Sequence, residues 1–153
     1  MSRAFVKESD NGTPELPERP VSSHPNLVTA EGFGAIAREI ARLDAARVGA
    51  AAVDDKTALS VIARDLRYWT ARRASAQIVE APSDPSTVQF GATVSLRRGD
   101  GRIQTFRIVG EDEAEPSRGT LSHVSPLARA LIGRTAGDVV EVPGGEAEIL
   151  TIG

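Results

Sequence analysis

Two apolar seams with heptad spacing constrain the fold of this chain most strongly. In the first seam, apolar residues recur at three- and four-residue steps, at Phe33, Ile36, Ile40 and Leu43. The second seam repeats this spacing at Leu59, Ile62, Leu66 and Trp69. Such spacing places apolar side chains on one side of a helix. The link between the seams is short and contains Gly49, so we predict an antiparallel helical hairpin over residues 28–80.

The segment before the hairpin, residues 1–27, is rich in proline. It contains Pro14, Pro17, Pro20 and Pro25 and few large apolar residues. Proline lacks a backbone donor and interrupts helices and central strands. We therefore expect an extended or disordered tail. The alternative is a strap that docks Phe5, Val6 or Leu16 on the folded part of the chain.

The segment after the hairpin, residues 81–153, has the pattern of a small sheet. Short β-type runs occur at 90–96, 103–109, 120–124, 139–142 and 147–152. They are separated by glycine-containing turns, which favour hairpins. One short helix fits from Pro126 to Ile132, with Ser125 as its cap and Gly133 at its end. The expected fold is α+β: a helical hairpin, then an antiparallel sheet with one helix.

Composition excludes several classes of function. The chain has no cysteine, which excludes disulfides, thiolate catalysis and cysteine-ligated metal. Its net charge of −3 argues against a globally basic nucleic-acid coat protein. No apolar run reaches the roughly 18 residues of a membrane span, and the N-terminus lacks the apolar core of a signal peptide. We expect a cytoplasmic protein with no membrane partner.

Few residues suggest chemistry of their own. Asp54 and Asp55 are adjacent at the hairpin turn and could hold Mg²⁺ weakly, or one of them could simply cap the second helix. His123 lies near Ser122 and Ser125, but no orienting acid accompanies them, so a structural or surface role is expected. The sequence indicates no catalytic residue, no metal site and no cofactor beyond this weak Mg²⁺ candidate.

Two charged clusters remain. Arg64, Arg67 and Arg72 form a predicted basic face on the second helix, which is either solvated or contacts phosphate or an acidic protein surface. The acidic run at 111–115 is expected to be a solvated loop rather than a metal site.

Four motifs in the C-terminal segment resemble, in order, those of the bacterial Gre transcript-cleavage and elongation factors. They read FGATV at 90–94, FRIVGEDEA at 106–114, SPLARALIG at 125–133 and PGGE at 143–146. The likeness extends back through IARDLRYW at 62–69 and AQIV at 76–79, which resemble the return helix of the family's hairpin. VTAEG at 28–32 resembles its start.

The resemblance implies a helical hairpin followed by an FKBP-like C-terminal domain. In the family, the C-terminal domain docks on RNA polymerase at the rim of the secondary channel. The matching positions for docking here are Ser125, Pro126, Leu127 and Arg129. The family's hairpin tip carries acidic residues that help hold Mg²⁺ and a water, so that the polymerase's own site cleaves backtracked RNA. The factor itself is then not an enzyme.

This sequence departs from the family pattern at the tip. RVGAAA occupies positions 47–52, where the family's acidic motif belongs. The predicted first arm, residues 33–47, would be about 23 Å long, and family arms are roughly twice that. We therefore predict a Gre-like regulator that binds RNA polymerase without stimulating cleavage, with only indirect contact to transcript RNA or DNA in the elongation complex.

Three other hypotheses stay open at this point. The chain could be an active cleavage factor that uses Asp54 and Asp55 to hold Mg²⁺. It could bind a partner other than polymerase, as in related short-hairpin regulators linked to nucleotide metabolism. It could also bind nucleic acid directly through Arg64, Arg67 and Arg72, with an affinity that falls steeply with salt.

Overall fold

The structure, a computed structural model, describes residues 16–153 and confirms the mixed α+β class. The elements in chain order are β1 (Leu27–Val28), α1 (Ala30–Ala52), α2 (Lys56–Ser75), β2 (Gln77–Ile78), β3 (Thr93–Arg98), β4 (Ile103–Val109), a 3-10 turn (Pro116–Arg118), β5 (Thr120–Ser122), α3 (Pro126–Leu131), β6 (Val139–Val142) and β7 (Gly145–Ile152). No helix within residues 16–153 is long and apolar enough to cross a membrane.

The described chain divides into two compact units. The first contains residues 16–21 and 37–74, and the second contains residues 22–36 and 75–153. Helix α1 therefore begins in the second unit and continues into the first. Phe5 and Val6, two of the residues named in the alternative of a docked strap, lie outside the described residues.

Helix α1 is longer than the sequence pattern predicted. It has 23 residues instead of the 15 between positions 33 and 47. The alanine-rich stretch after Arg47 has high helix propensity, so the helix continues through Gly49 to Ala52. At about 1.5 Å per residue, α1 is about 34 Å long rather than about 23 Å. Only Val53, Asp54 and Asp55 separate it from the 20 residues of α2.

Both predicted seams supply buried side chains to the two-helix region. Ile40 and Leu43 of α1 are buried, as is Ile62 of α2. Tyr68 and Trp69 are half-buried, and their rings meet edge to face at a centroid distance of 5.0 Å. The heptad spacing thus identified the faces of the helices that are removed from water.

The second unit is built around a five-stranded sheet of order β5-β4-β3-β7-β6. Three of its four pairings are antiparallel, as predicted. The pairing of β4 with β5 is parallel, so the prediction of a wholly antiparallel sheet was wrong there. The connection between these strands passes through the 3-10 turn, which brings the chain back to start β5 beside β4 in the same direction.

The core of this unit lies on one side of the sheet and is closed by α3. Its fully buried members include Leu96, Ile108 and Ile149 from the strands and Ala128 and Leu131 from α3. A second, two-stranded parallel sheet pairs β1 with β2, which the sequence did not predict. This pairing joins the residues just before α1 to those just after α2.

Candidate functional site

The corner where β5 leads into α3 carries the four residues predicted to dock a partner. Ser125 is the cap of α3: its extended backbone (φ −67°, ψ 152°) lets Oγ accept from the backbone N–H of Ala128 at 3.2 Å. Pro126 occupies the first turn, where its missing N–H leaves no donor unpaired. Ala128 and Leu131 are buried in the core and fix the helix against the sheet.

The outer side of this corner is available to a partner. Pro126 and Arg129 are exposed, and Leu127 is half-buried. Arg129 also has a neighbour that sequence reasoning missed, because Nη2 lies 3.3 Å from Nε2 of His24. His24 was assigned only to the tail, and no local pattern relates it to α3. We call Ser125, Pro126, Leu127 and Arg129, together with His24, the α3 corner.

His123 lies next to this corner in the chain and packs against Phe90. Its ring meets Phe90 edge to face, with centroids 5.5 Å apart and an interplanar angle of 78°. This contact agrees with the expected structural role for His123.

The tip of the two-helix region exposes small apolar side chains next to the two aspartates. Val48 and Val53 are 69% and 74% exposed, and Ala51 and Ala52 are exposed beside them. Asp54 adopts a left-handed conformation with φ 53°, which aspartate tolerates in tight turns. The tip therefore presents small apolar groups at positions 48–53, which contain no acidic residue.

Asp55 acts as a helix cap. Its Oδ1 accepts from the backbone N–H of Ala58 at 3.0 Å, and its carbonyl accepts from Leu59 at 3.0 Å. These are the bonds of an N-cap residue. Within residues 16–153, no group of three or more His, Cys, Asp or Glu side chains could hold a metal ion.

The predicted basic face of α2 is smaller than expected. Arg72 is only 1% exposed, so its assignment to an outward face was wrong. Residues three apart are neighbours on a helix surface, so Arg72 lies beside Trp69. Arg64 is bound to its neighbour Asp65, with Nε and Nη2 each 3.0 Å from Oδ1. Arg67 keeps an exposed guanidinium.

Residues 16–21, which we call the strap, contact this face of α2. Nε of Arg67 donates to both carboxylate oxygens of Glu18, at 3.0 and 2.9 Å. Arg19 places its guanidinium carbon 4.0 Å from the ring centroid of Tyr68, and its Nη1 donates to Asp65 at 3.4 Å. The hydrogen bond from Arg67 lowers the pKa of Glu18, and the same bond raises the pKa of Arg67.

A carboxylate from the acidic run fixes the start of α1. Oε2 of Glu113 accepts from the backbone N–H groups of Thr29 at 2.9 Å and Gly110 at 3.1 Å, while Oε1 binds the Thr29 hydroxyl. The Thr29 hydroxyl in turn caps α1 by accepting from Gly32 N at 2.9 Å. The expectation that this run is a solvated loop was therefore wrong for Glu113. Its carboxylate joins Gly110, which follows β4, to Thr29, which precedes α1.

Gly32 is required by this arrangement. A Cβ on Gly32 would overlap the carboxylate of Glu113, whereas a Cβ on Gly49, farther along the same helix, would meet nothing. Alanine is otherwise preferred to glycine in a helix by about 0.5–1 kcal/mol. The two positions are thus a matched pair for testing the Glu113 contact.

We expect opposite effects from alanine at these two positions. Gly49→Ala should stabilise the protein by about 0.5–1 kcal/mol. Gly32→Ala should destabilise it by about 1–3 kcal/mol, because the displaced carboxylate leaves the buried Thr29 N–H without its acceptor. Urea unfolding of the two full-length variants measures both values; equal stabilisation by both would show that Glu113 is not held as described.

Comparison with known proteins agrees with the motifs in the second unit. Residues 82–152 match the family model described as transcription elongation factor, GreA/GreB, C-term. Transcription elongation factor GreB of Neisseria meningitidis serogroup A is 44% identical over 98 residues, which are 61% of this chain and 60% of that protein. GreA of Phenylobacterium zucineum is 35% identical over 140 residues, which are 77% of this chain and 89% of that protein.

The chain belongs to the GreA/GreB family of transcription elongation factors. It spans only 60% of the length of the Neisseria relative. Among solved structures, GreA factor homolog 1 of Thermus thermophilus matches 85% of this chain and 99% of its own, at 19% identity and a TM-score of 0.41.

Proposed function

We propose that this chain binds RNA polymerase at the secondary channel through the α3 corner and regulates elongation without stimulating transcript cleavage. Family membership and the intact SPLARALIG motif support the polymerase as partner. The α3 corner supports the docking site, because Pro126 and Arg129 are exposed on a helix whose other side is anchored in the core.

The side chains at the tip are the reason to expect no stimulation of transcript cleavage. Assistance with RNA hydrolysis requires carboxylates that are free to hold a metal ion and its water. Here Asp55 already accepts the Ala58 N–H as a cap, and Asp54 is held in a left-handed turn. The exposed side chains beside them include Val48, Val53 and alanines, which cannot coordinate a hard cation.

The length of α1 supports the proposal less strongly than the sequence indicated. Helix α1 is about 34 Å long rather than about 23 Å, so the expected shortfall against the family's first arm is smaller. A reactive group still tolerates little misplacement in catalysis. The missing acidic motif at positions 47–52 and the capping role of Asp55, rather than length, are therefore the main reasons to expect no stimulation of cleavage.

Transcript cleavage by stalled elongation complexes tests this proposal. We expect the full-length chain to leave the cleavage rate of backtracked complexes at the level of polymerase and Mg²⁺ alone, and Asp54→Ala with Asp55→Ala to change nothing in that rate. Stimulation by the wild-type chain that disappears in the double variant would instead establish an active cleavage factor using these two aspartates. A GreA- or GreB-type factor assayed in parallel confirms that the complexes are competent.

A further inference from the structure

The contacts between the strap and α2 show what this face recognises. Arg67 binds the carboxylate of Glu18. The next strap residue, Arg19, places its guanidinium against both Asp65 and the ring of Tyr68. A guanidinium over an aromatic ring is attracted by the ring's negative face. The ligand here is an extended segment in which a glutamate is followed by an arginine.

The half-buried residues of the strap are three positions apart. Leu16 and Arg19 are half-buried, whereas Pro17, Glu18, Pro20 and Val21 are exposed. Three residues per turn is the repeat of a polyproline II helix, and prolines stand at 14, 17 and 20. Such a segment loses little conformational entropy when it binds, and this is why proline-rich segments serve as recognition motifs.

The strap is nevertheless held weakly. Its ion pair joins two exposed side chains, since Arg67 is 56% and Glu18 60% exposed. Exposed ion pairs contribute little to holding two segments together. Leu16 is the strap's one half-buried apolar residue. A competing segment that offers the same groups with additional contacts would displace it.

The charges on this face favour a peptide over a nucleic acid. Arg72 is buried, and Arg64 is engaged with Asp65. Asp65 lies beside the Arg67 site, where it would repel a phosphate backbone but attracts a basic side chain. The face therefore complements neighbouring acidic and basic groups rather than a run of negative charge.

We propose that the face of α2 formed by Arg67, Asp65 and Tyr68 is a binding site for an extended segment of a partner protein that carries an acidic residue followed by an arginine or lysine, and that the strap occupies this site as a built-in competitor. Displacement of residues 16–21 then makes the face available. The partner is a protein, and binding depends on both charges of its segment.

A labelled synthetic peptide with the sequence of residues 14–22 tests the site on the full-length chain. The strap is weakened by Glu18→Ala with Arg19→Ala, two exposed or half-exposed positions whose truncation leaves the core intact. By fluorescence anisotropy, we expect the peptide to bind this opened variant about five-fold more tightly than the wild type, as expected for the loss of one exposed ion pair and one cation–π contact. Adding Arg67→Ala should remove that gain, whereas adding Arg73→Ala, an exposed arginine on the same helix, should not.

Other results would overturn the proposal. Equal binding to the wild type and the opened variant would show that the strap does not compete, and no binding to either would show that the face is not a peptide site. Binding of a single-stranded RNA, but not of the peptide, to the opened variant would assign the face to nucleic acid. A peptide with glutamine at both charged positions should bind no better to the opened variant than to the wild type; retained binding would contradict recognition by charge. Circular dichroism of each variant verifies that the helices are intact.

Discussion

Pro126→Glu is expected to abolish co-elution of this chain with core RNA polymerase. Pro126 is exposed at the first turn of α3, in the centre of the α3 corner. A glutamate there adds a charge to a contact that an apolar ring would make, and loss of a hot-spot residue at the centre of an interface weakens binding by about 2 kcal/mol or more, which is roughly thirty-fold. Glutamate is tolerated in a helix's first turn, so α3 should fold normally.

The same substitution at Pro116 is the matched control for Pro126→Glu. Pro116 is also exposed and also occupies the first turn of a short helical segment in the second unit. We expect Pro116→Glu to co-elute with polymerase like the wild type. Undiminished binding by Pro126→Glu would place the docking surface elsewhere on the chain, and equal loss in both variants would indicate a general effect of charge.

Glu113→Ala is expected to reduce the free energy of unfolding by about 2–4 kcal/mol. The variant removes the acceptor of three donors: the N–H and hydroxyl of Thr29 and the N–H of Gly110. Thr29 is only 2% exposed, so water cannot readily replace the carboxylate. Urea unfolding of the full-length protein measures the loss.

Glu115→Ala serves as the control for Glu113→Ala in the same acidic run. Glu115 is exposed, and its carboxylate makes only an ion pair with Arg118 at 3.6 Å between two exposed side chains. We expect a change within about 0.5 kcal/mol for this variant. Similar losses for both variants would mean that the contacts of Glu113 contribute no more than an average surface carboxylate.

The sequence predicted the elements that are specified by residues close together in the chain. The 3-4-3 spacing identified the buried faces of α1 and α2, because helical periodicity alone decides which side chains share a side. Alternation and turn residues located β4 and β6 at their observed bounds. Ser125 and Pro126 predicted the start of α3, since a cap and a first-turn proline act within a few residues of each other.

The features that were missed depend on residues far apart in the sequence. Glu113 binds Thr29 across 84 positions, and Glu18 binds Arg67 across 49. No spacing rule relates such pairs, so a solvated loop and a free basic face were reasonable expectations for them. The end of α1 was missed for a different reason: a glycine in a short link favours a break, but one glycine costs about 1 kcal/mol and the alanines around Gly49 offset that.

The seam pattern did not identify the burial of Arg72. The 3-4-3 spacing, continued by four residues from Trp69, leads to Arg73, which is exposed, whereas Arg72 is buried. The parallel pairing of β5 also had no local signal, because the turn at Pro116–Arg118 has no pattern that distinguishes a crossover from a hairpin.

The most direct test of a polymerase-binding factor that does not stimulate cleavage is a competition measurement. Backtracked elongation complexes are cleaved with a fixed amount of a GreA- or GreB-type factor, and the full-length chain is titrated in. We expect the cleavage rate to fall with increasing chain and to be unaffected by the Pro126→Glu variant. A rate that does not change, or one that rises as the wild-type chain is added, would contradict the proposed function.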